Sequence, residues 1–209
     1  MPTPRIFDWA FAATALLGLA LIPVSGGPWI AAVKALPALV LAASWFVLHQ
    51  PGWKLMGPAL VFAAGGDFLL SLSGLFVPGM GSFAVMQLLY LVRFWGVGLA
   101  RPKPRRGLVT YPVVFAVITA AVMAVFLPHM GDLAIPMALY GVLLATMTVG
   151  GSFASRDWQL RVGVLLFFVS DGLILAFRVW KDPTDLHTWA IMITYYVGQV
   201  LITRGARKL

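Results

Sequence analysis

Apolar stretches of about twenty residues recur along almost the whole chain, separated only by short clusters of Pro, Gly and polar residues. A helix of that length, rising about 1.5 Å per residue, crosses the hydrocarbon core of a bilayer. Hydropathy predicts eight such helices, at residues 6–24, 29–48, 55–76, 80–99, 108–127, 133–150, 160–179 and 187–204. We therefore expect an all-α, polytopic membrane protein with one transmembrane domain over residues 1–209.

Composition excludes an ordinary soluble domain and several kinds of site. The chain is 61% hydrophobic and only 11% charged, whereas a soluble domain carries about 25% charged residues. It has no cysteine, which rules out disulfides, Fe–S clusters and thiolate zinc sites. Its three histidines fall at predicted helix ends on different sides of the membrane. No metal site and no cofactor are expected.

The distribution of Lys and Arg predicts the orientation, because positive residues are retained on the cytoplasmic face. Eleven lie on the side of the N-terminus: Arg5, Lys54, Arg101, Lys103, Arg105, Arg106, Arg156, Arg161, Arg204, Arg207 and Lys208. Only Arg178 and Lys181 lie on the other side. We expect both termini in the cytoplasm of a bacterial inner membrane. Topology accounts for the net charge of +8, so no nucleic-acid partner is expected.

Two segments of the chain resemble each other and suggest an internal repeat. Gly66–Leu72 matches Ser170–Ala176 at an offset of 104 residues, and Tyr90 matches Tyr195 at an offset of 105. Four helices return the chain to its starting side, so a duplication would give parallel halves. The candidate halves are residues 1–100 and 107–209, joined by the basic linker 101–106.

Charged residues far from both ends of the predicted spans are the strongest functional signal, because each costs about 2.5–3.5 kcal/mol on insertion scales. They are Lys34, Asp67, Arg93 and Asp171. Counting from the predicted helix ends places Lys34, Asp67 and Asp171 roughly 17–21 Å above the cytoplasmic boundary. The three are expected to face inward around water. Arg93 lies closer to the cytoplasm, where it can reach a lipid headgroup.

Short motifs in order along nearly the whole chain resemble the YhhN-like integral membrane proteins, which include the lysoplasmalogenases. They are Val33–Pro37 with Lys34, Gly66–Leu70 with Asp67, Leu88–Tyr90, Tyr140, Ser170–Ala176 with Asp171, and Tyr195–Tyr196. The resemblance implies hydrolysis of the vinyl ether bond of lysoplasmalogens to a fatty aldehyde and glycerophosphoethanolamine or glycerophosphocholine. It implies a lysophospholipid substrate among membrane lipids, with Asp67 and Asp171 as the catalytic pair.

The residues themselves favour a division of labour between the two aspartates. Lys34 can keep one carboxylate ionised while burial keeps the other protonated, which provides a general base and a general acid. Asp171 is the preferred acid, because Lys34 lies on the helix that precedes the Asp67 helix. Orienting or headgroup-binding roles are assigned to Lys34, Tyr90, Arg93, Tyr140, Ser170 and Tyr195.

Another class of function fits a charged site at the membrane midplane. A small membrane transporter or a lipid-binding protein could use the same residues and the same repeat. The two halves lack matching Pro or Gly breaks, since Tyr140 stands where the second span has Pro37. That difference disfavours a transporter, and the very short loops disfavour a receptor or scaffold.

Overall fold

The computed structural model describes residues 5–24, 27–100, 107–180 and 185–209, and it is all-helical over those ranges. The α-helices are α1 Arg5–Ala20, α2 Pro28–Leu48, α3 Trp53–Leu70, α4 Phe76–Ala100, α5 Gly107–Phe126, α6 Ala134–Ala154, α7 Trp158–Trp180 and α8 Asp185–Ala206. Two 3-10 turns, Leu127–His129 and Gly131–Leu133, connect α5 to α6. The all-α prediction is confirmed, with one helix for each predicted span.

Within the described ranges, five segments are long and apolar enough to cross a membrane on their own. They are Pro28–Leu48, Phe76–Ala100, Pro112–His129, Gly131–Ala154 and Trp158–Trp180. Large apolar side chains on these helices, such as Leu139 and Val117, have more than half of their surface exposed. Such exposure is expected where lipid replaces water as the solvent. These features identify the chain as an integral membrane protein.

The third helix ends six residues earlier than the sequence predicts. The Ser71 hydroxyl donates to the Asp67 carbonyl oxygen at 2.7 Å, and the Ser71 N–H bonds back within the last turn. Gly74 then adopts a positive φ of 80°, which turns the chain into α4. Asp67 therefore lies in the last turn of α3, about 5 Å before its end, and not near the middle of its helix.

The chain divides into two compact units, residues 1–90 and 91–209, with the boundary inside α4. The basic linker predicted at residues 101–106 lies outside the described residues, as does Lys181. The two units are described separately below.

In the first unit, α2 packs against both α1 and α3, and α3 packs against the start of α4. A glycine allows α3 to approach α4 closely, because a Cβ on Gly66 would lie 2.5 Å from the Phe83 ring. The Ser82 hydroxyl donates to the Phe62 carbonyl oxygen at 2.6 Å across the same interface. Such contacts are typical of membrane helices, whose association depends on close backbone approach and interhelical hydrogen bonds.

In the second unit, α7 and α8 form the closest helix pair, and glycines hold their backbones together. A Cβ on Gly163 would lie 2.6 Å from the Ile202 backbone nitrogen. On α8, a Cβ on Gly205 would lie 2.5 Å from the Leu160 backbone nitrogen. Since backbone atoms cannot move aside as a flexible side chain does, these glycines fix the distance between the two helices.

Gly163→Ala should therefore destabilise the protein by about 1–3 kcal/mol, the usual cost of overpacking a tight contact. The matched control is Gly96→Ala on α4, where a Cβ would meet no described atom within 4 Å beyond the neighbouring backbone of its own helix. The free energy of unfolding of each purified variant is measured in mixed detergent micelles and compared with that of the parent. Equal stability of the two variants would contradict the close packing of α7 on α8.

The turn between α6 and α7 is held by Asp157 and the C-terminal segment. An Asp157 oxygen accepts from the Gln159 N–H at 2.9 Å, and the other accepts from Lys208 Nζ at 2.6 Å. Partial burial raises the pKa of the Asp157 carboxyl, but the hydrogen bonds and the Lys208 charge outweigh it and hold that pKa below its usual value. The pair thus stabilises the fold above the ordinary carboxyl pKa and stops doing so as the pH falls through the lowered pKa.

Candidate functional site

Asp67 is buried near the end of α3 and lies close enough to Lys34 on α2 for their charges to interact. Its side chain is 8% exposed, and Lys34 is half-buried. The pair forms because α2 and α3 are consecutive, antiparallel and packed along their length. An ammonium group beside a buried carboxylate stabilises its ionised form.

Phe83 shapes the surroundings of Asp67 in the first unit. Its ring lies against Gly66, the residue directly before Asp67, and only a hydrogen side chain leaves room for it. Phe83 is itself buried, so α4 covers this part of α3 with an apolar ring. The Gly-Asp order in the sequence is thus a packing requirement next to an acidic residue.

Tyr90 and Gln87 lie on α4 of the same unit and are both wholly buried. Three residues apart, they share one face of the helix. Tyr90 was predicted from the sequence as a site residue, whereas Gln87 was missed. The signal that could have found Gln87 is its amide, a polar group of the kind that membrane spans bury only with hydrogen-bonding partners.

Asp171 lies on α7 of the second unit, where Tyr140 on α6 is its hydrogen-bond donor. The Tyr140 hydroxyl donates to Asp171 Oδ2 at 2.6 Å, a short distance typical of a hydroxyl on a charged or strongly polar oxygen. The side chains of both residues are partly buried. The contact joins α6 to α7 through the Asp171 carboxyl group.

Ser170 and Tyr195 extend this region toward α8. Ser170 is wholly buried and its hydroxyl donates to the Ile191 carbonyl oxygen at 3.1 Å, which joins α7 to α8. The Tyr195 ring stacks at a tilt against Phe167, with centroids 5.9 Å apart, and against Tyr196 at 5.5 Å. Gln199, one turn further along α8, is 1% exposed and is a second amide that sequence reasoning missed.

Arg93 lies on α4 in the second unit, half-buried and engaged with its surroundings. Its predicted role toward a lipid headgroup stays a prediction. So does the shared water-filled space predicted for Lys34, Asp67 and Asp171. Over the described part of the chain, no group of three or more His, Asp or Glu side chains lies close enough to hold a metal ion.

Comparison with known proteins connects these residues to a family. The model of the YhhN family matches residues 29–206 of this chain. The chain belongs to the YhhN family. The match covers most of each unit described above, including α3 with Asp67 and α7 with Asp171, but not α1.

Several curated relatives of this YhhN-family chain are named as lysoplasmalogenases. It is 36% identical to human "Lysoplasmalogenase TMEM86B" over 193 residues, covering 90% of this chain and 80% of the relative. It is 33% identical to the pig protein of that name, covering 87% and 77%. It is 32% identical to "Lysoplasmalogenase" of Mycobacterium tuberculosis, covering 83% and 69%. No solved structure matches the chain.

The two aspartates of this YhhN-family chain have chemically different partners. Asp67 has an ammonium group nearby, while Asp171 accepts a hydrogen bond from a phenol hydroxyl. A full positive charge stabilises a carboxylate more strongly than a neutral donor does, and the effect grows where water is excluded. Two carboxyl groups in unlike surroundings are the usual basis for separate acid and base roles.

Proposed function

We propose that this chain hydrolyses the vinyl ether bond of lysoplasmalogens, releasing a fatty aldehyde and glycerophosphoethanolamine or glycerophosphocholine. The observation that carries the proposal is its identity of 36% to a lysoplasmalogenase over 90% of the chain. The chain is then a membrane-embedded ether hydrolase whose substrate reaches it from the bilayer. Its membrane-spanning helices and buried carboxyl groups suit a lipid substrate and acid–base chemistry.

The proposed reaction begins with proton transfer from Asp171 to the β carbon of the vinyl ether. The double bond supplies the electron pair, and an oxocarbenium ion forms at the carbon next to the ether oxygen. Ionised Asp67 stabilises that cation and takes a proton from the attacking water, so that a hemiacetal forms. A proton then moves to the glycerol oxygen as the hemiacetal collapses, and one water is consumed overall.

The other predicted site residues act by binding and orientation in this proposal. Lys34 keeps Asp67 ionised, and Tyr140 orients Asp171 through the 2.6 Å hydrogen bond. Ser170 fixes α7 against α8 beside Asp171. Tyr90, Arg93 and Tyr195 are proposed to contact the lysolipid, with Arg93 suited to a phosphate because guanidinium binds phosphate oxygens in pairs.

The topology completes the proposal. All eight helices are proposed to span a bacterial inner membrane as two parallel halves of four, with both termini in the cytoplasm. Supporting the repeat, each aspartate lies on the third helix of its half and its partner lies on the second, α2 before α3 and α6 before α7. Supporting the orientation, basic residues predominate on one side of the predicted spans.

Tyr140→Phe tests the orienting role in this proposal. Loss of one hydrogen bond to the protonated carboxyl group should lower kcat about two- to tenfold, because such bonds contribute about 0.5–1.5 kcal/mol. KM should change little, since the phenol contacts the carboxyl group and not the lipid. Tyr111→Phe, at a tyrosine that the sequence does not assign to the site, is the control for loss of a phenol hydroxyl. A parental kcat for Tyr140→Phe would show that Asp171 needs no orientation by Tyr140.

The function itself is tested with the purified full chain in lipid nanodiscs. Incubation with a defined lysoplasmalogen should release free aldehyde, measured by derivatisation and mass spectrometry, together with the water-soluble glycerophospho product. The diacyl phospholipid and the alkyl ether analogue, which lack the vinyl group, should remain intact. If the protein binds the lysoplasmalogen or moves it across the membrane without releasing aldehyde, the chain is a lipid-binding protein or a transporter instead.

A further inference from the structure

An apolar groove in the second unit lies apart from the Asp171–Tyr140 pair. It has a volume of about 340 Å³ and is lined from α5, α6 and the end of α4. Cavities that bind small molecules begin at about this size. The side chains that matter below are Trp95, Thr119, Val142, Ala145, Thr146 and Val149.

The groove and the Asp171–Tyr140 pair use opposite faces of α6. At 100° per residue, the four groove residues Val142–Val149 are turned roughly 140–240° away from Tyr140 around the helix. Tyr140 points to α7, where it donates to Asp171. The groove is therefore separate from the region assigned to proton transfer.

Trp95 forms a fixed wall of this groove. Its indole N–H donates to the Thr146 carbonyl oxygen at 3.0 Å, and its ring contacts Phe153 edge to face. It lies so close to α6 that a Cβ on Gly150 would be 2.6 Å from the ring. The indole is held on three sides, so the groove is built into the unit and is not a gap left by loose packing.

Thr119 is buried in the groove with an unused hydroxyl. Its side chain is 7% exposed, and its hydroxyl oxygen has no hydrogen-bond partner among the residues that the structure describes. Other threonines in these helices, such as Thr146 and Thr148, donate to the carbonyl oxygen four residues earlier. A buried hydroxyl without a partner is costly, so a ligand that accepts its hydrogen bond is strongly favoured there.

The lining and the depth of the groove restrict that ligand. None of the described residues that line it is charged, so it suits a neutral apolar molecule and not a phosphate headgroup. Thr119 is about 18 Å from the first residue of α5 and about 10 Å from the last, close to the middle of the helix. The ester carbonyls of glycerolipids lie at the edge of the hydrocarbon core, about 15 Å from its centre, and do not reach this depth.

We propose that this groove binds the long-chain fatty aldehyde. The aldehyde's carbonyl oxygen accepts a hydrogen bond from the Thr119 hydroxyl, and the aldehyde's chain lies along α5 and α6 toward the lipid. This rests on the proposed function, which makes such an aldehyde inside the membrane. An aldehyde has an apolar chain, one uncharged acceptor and no headgroup to hold it at the interface. The groove is thereby a holding site for product on its way from the protein into the bilayer.

The test is photolabelling of the purified full chain with hexadecanal carrying a diazirine in its chain, in the absence of substrate. Labelled peptides should map to α5 and α6, and unlabelled hexadecanal should compete. Thr119→Val, which keeps the shape but removes the hydroxyl, should weaken the apparent affinity about fivefold, the effect of one hydrogen bond. Ala120→Phe, which narrows the groove without changing Thr119, should also reduce labelling.

Thr146→Val is the matched control, because its hydroxyl is already used by the Val142 carbonyl and it lines the same groove. It should label like the parent. The proposal would be overturned if a diazirine alkane without a carbonyl labelled these peptides as strongly as the aldehyde does. It would also be overturned if Thr119→Val left the affinity unchanged, or if the aldehyde labelled peptides outside α5 and α6. If the parent binds the aldehyde in this way but releases none from lysoplasmalogen, the groove stands and the proposed function fails.

Discussion

Asp171→Asn should reduce aldehyde release from lysoplasmalogen by about 10²–10⁴-fold, the usual contribution of a positioned general acid. Asparagine keeps the size of the side chain and can still bond to the Tyr140 hydroxyl, so the packing of α6 on α7 is kept. What is lost is a group that can deliver a proton to carbon. Initial rates with saturating lysoplasmalogen in nanodiscs measure the effect.

Controls for this result must separate chemistry from folding. Unfolding of Asp171→Asn in mixed micelles should match the parent, because the hydrogen bond at 2.6 Å has a replacement acceptor. Asp132→Asn, at an exposed carboxylate between α5 and α6, should leave the rate unchanged. A stable Asp171→Asn protein that works within a few-fold of the parental rate would remove Asp171 from the mechanism.

Lys34→Met should cause the second large effect, on stability as well as on activity. Removal of the ammonium group leaves the buried carboxyl of Asp67 without its positive neighbour. Removing one partner of a fully buried ion pair costs about 3–5 kcal/mol, and solvent screening of the half-buried Lys34 should reduce the cost here to about 1–2 kcal/mol. The same change should lower the rate about a hundredfold, because an Asp67 that takes up a proton could not carry out its proposed roles, which are to stabilise the cation and to accept a proton from water.

The double variant Lys34→Met with Asp67→Asn distinguishes the two effects. With both charges gone, the stability should return close to the parental value, while the activity should stay low. Lys54→Met, at an exposed lysine beside Trp53, is the control and should change neither property. Recovery of activity in the double variant would mean that Asp67 only maintains the packing of α2 on α3.

The helices of this protein could be predicted from the sequence because a bilayer leaves few alternatives. Every apolar stretch became a helix, and Pro37 and Pro58 lie inside α2 and α3 without ending them. The end of α3 could not be predicted from hydropathy, since Leu72, Leu75 and Phe76 continue the apolar pattern. The Ser71 hydroxyl and the positive φ of Gly74 end the helix through local geometry, which the apolar pattern does not contain.

The pairing of site residues was predictable only in part. Consecutive helices pack side by side, and Lys34 on α2 lies close enough to Asp67 on α3 for their charges to interact. That Tyr140, and not another tyrosine, donates to Asp171 depends on the rotation of α6 about its axis, which a helix that is apolar on all sides does not reveal in its sequence. The unused hydroxyl of Thr119 and the ring of Phe83 on Gly66 depend on side-chain rotamers and backbone distance, and no sequence pattern marks them.

Hydrolysis of lysoplasmalogen in D₂O tests most directly the claim that a carboxyl group protonates the vinyl ether carbon. The released aldehyde, reduced at once to the alcohol, should carry one deuterium on the carbon next to the former carbonyl, and the rate should fall relative to water because that proton transfer is slow. Asp171→Asn should release almost none of this product. The claim would be contradicted if the released aldehyde carried no deuterium at that carbon. It would also be contradicted if Asp171→Asn formed the deuterated product at the parental rate.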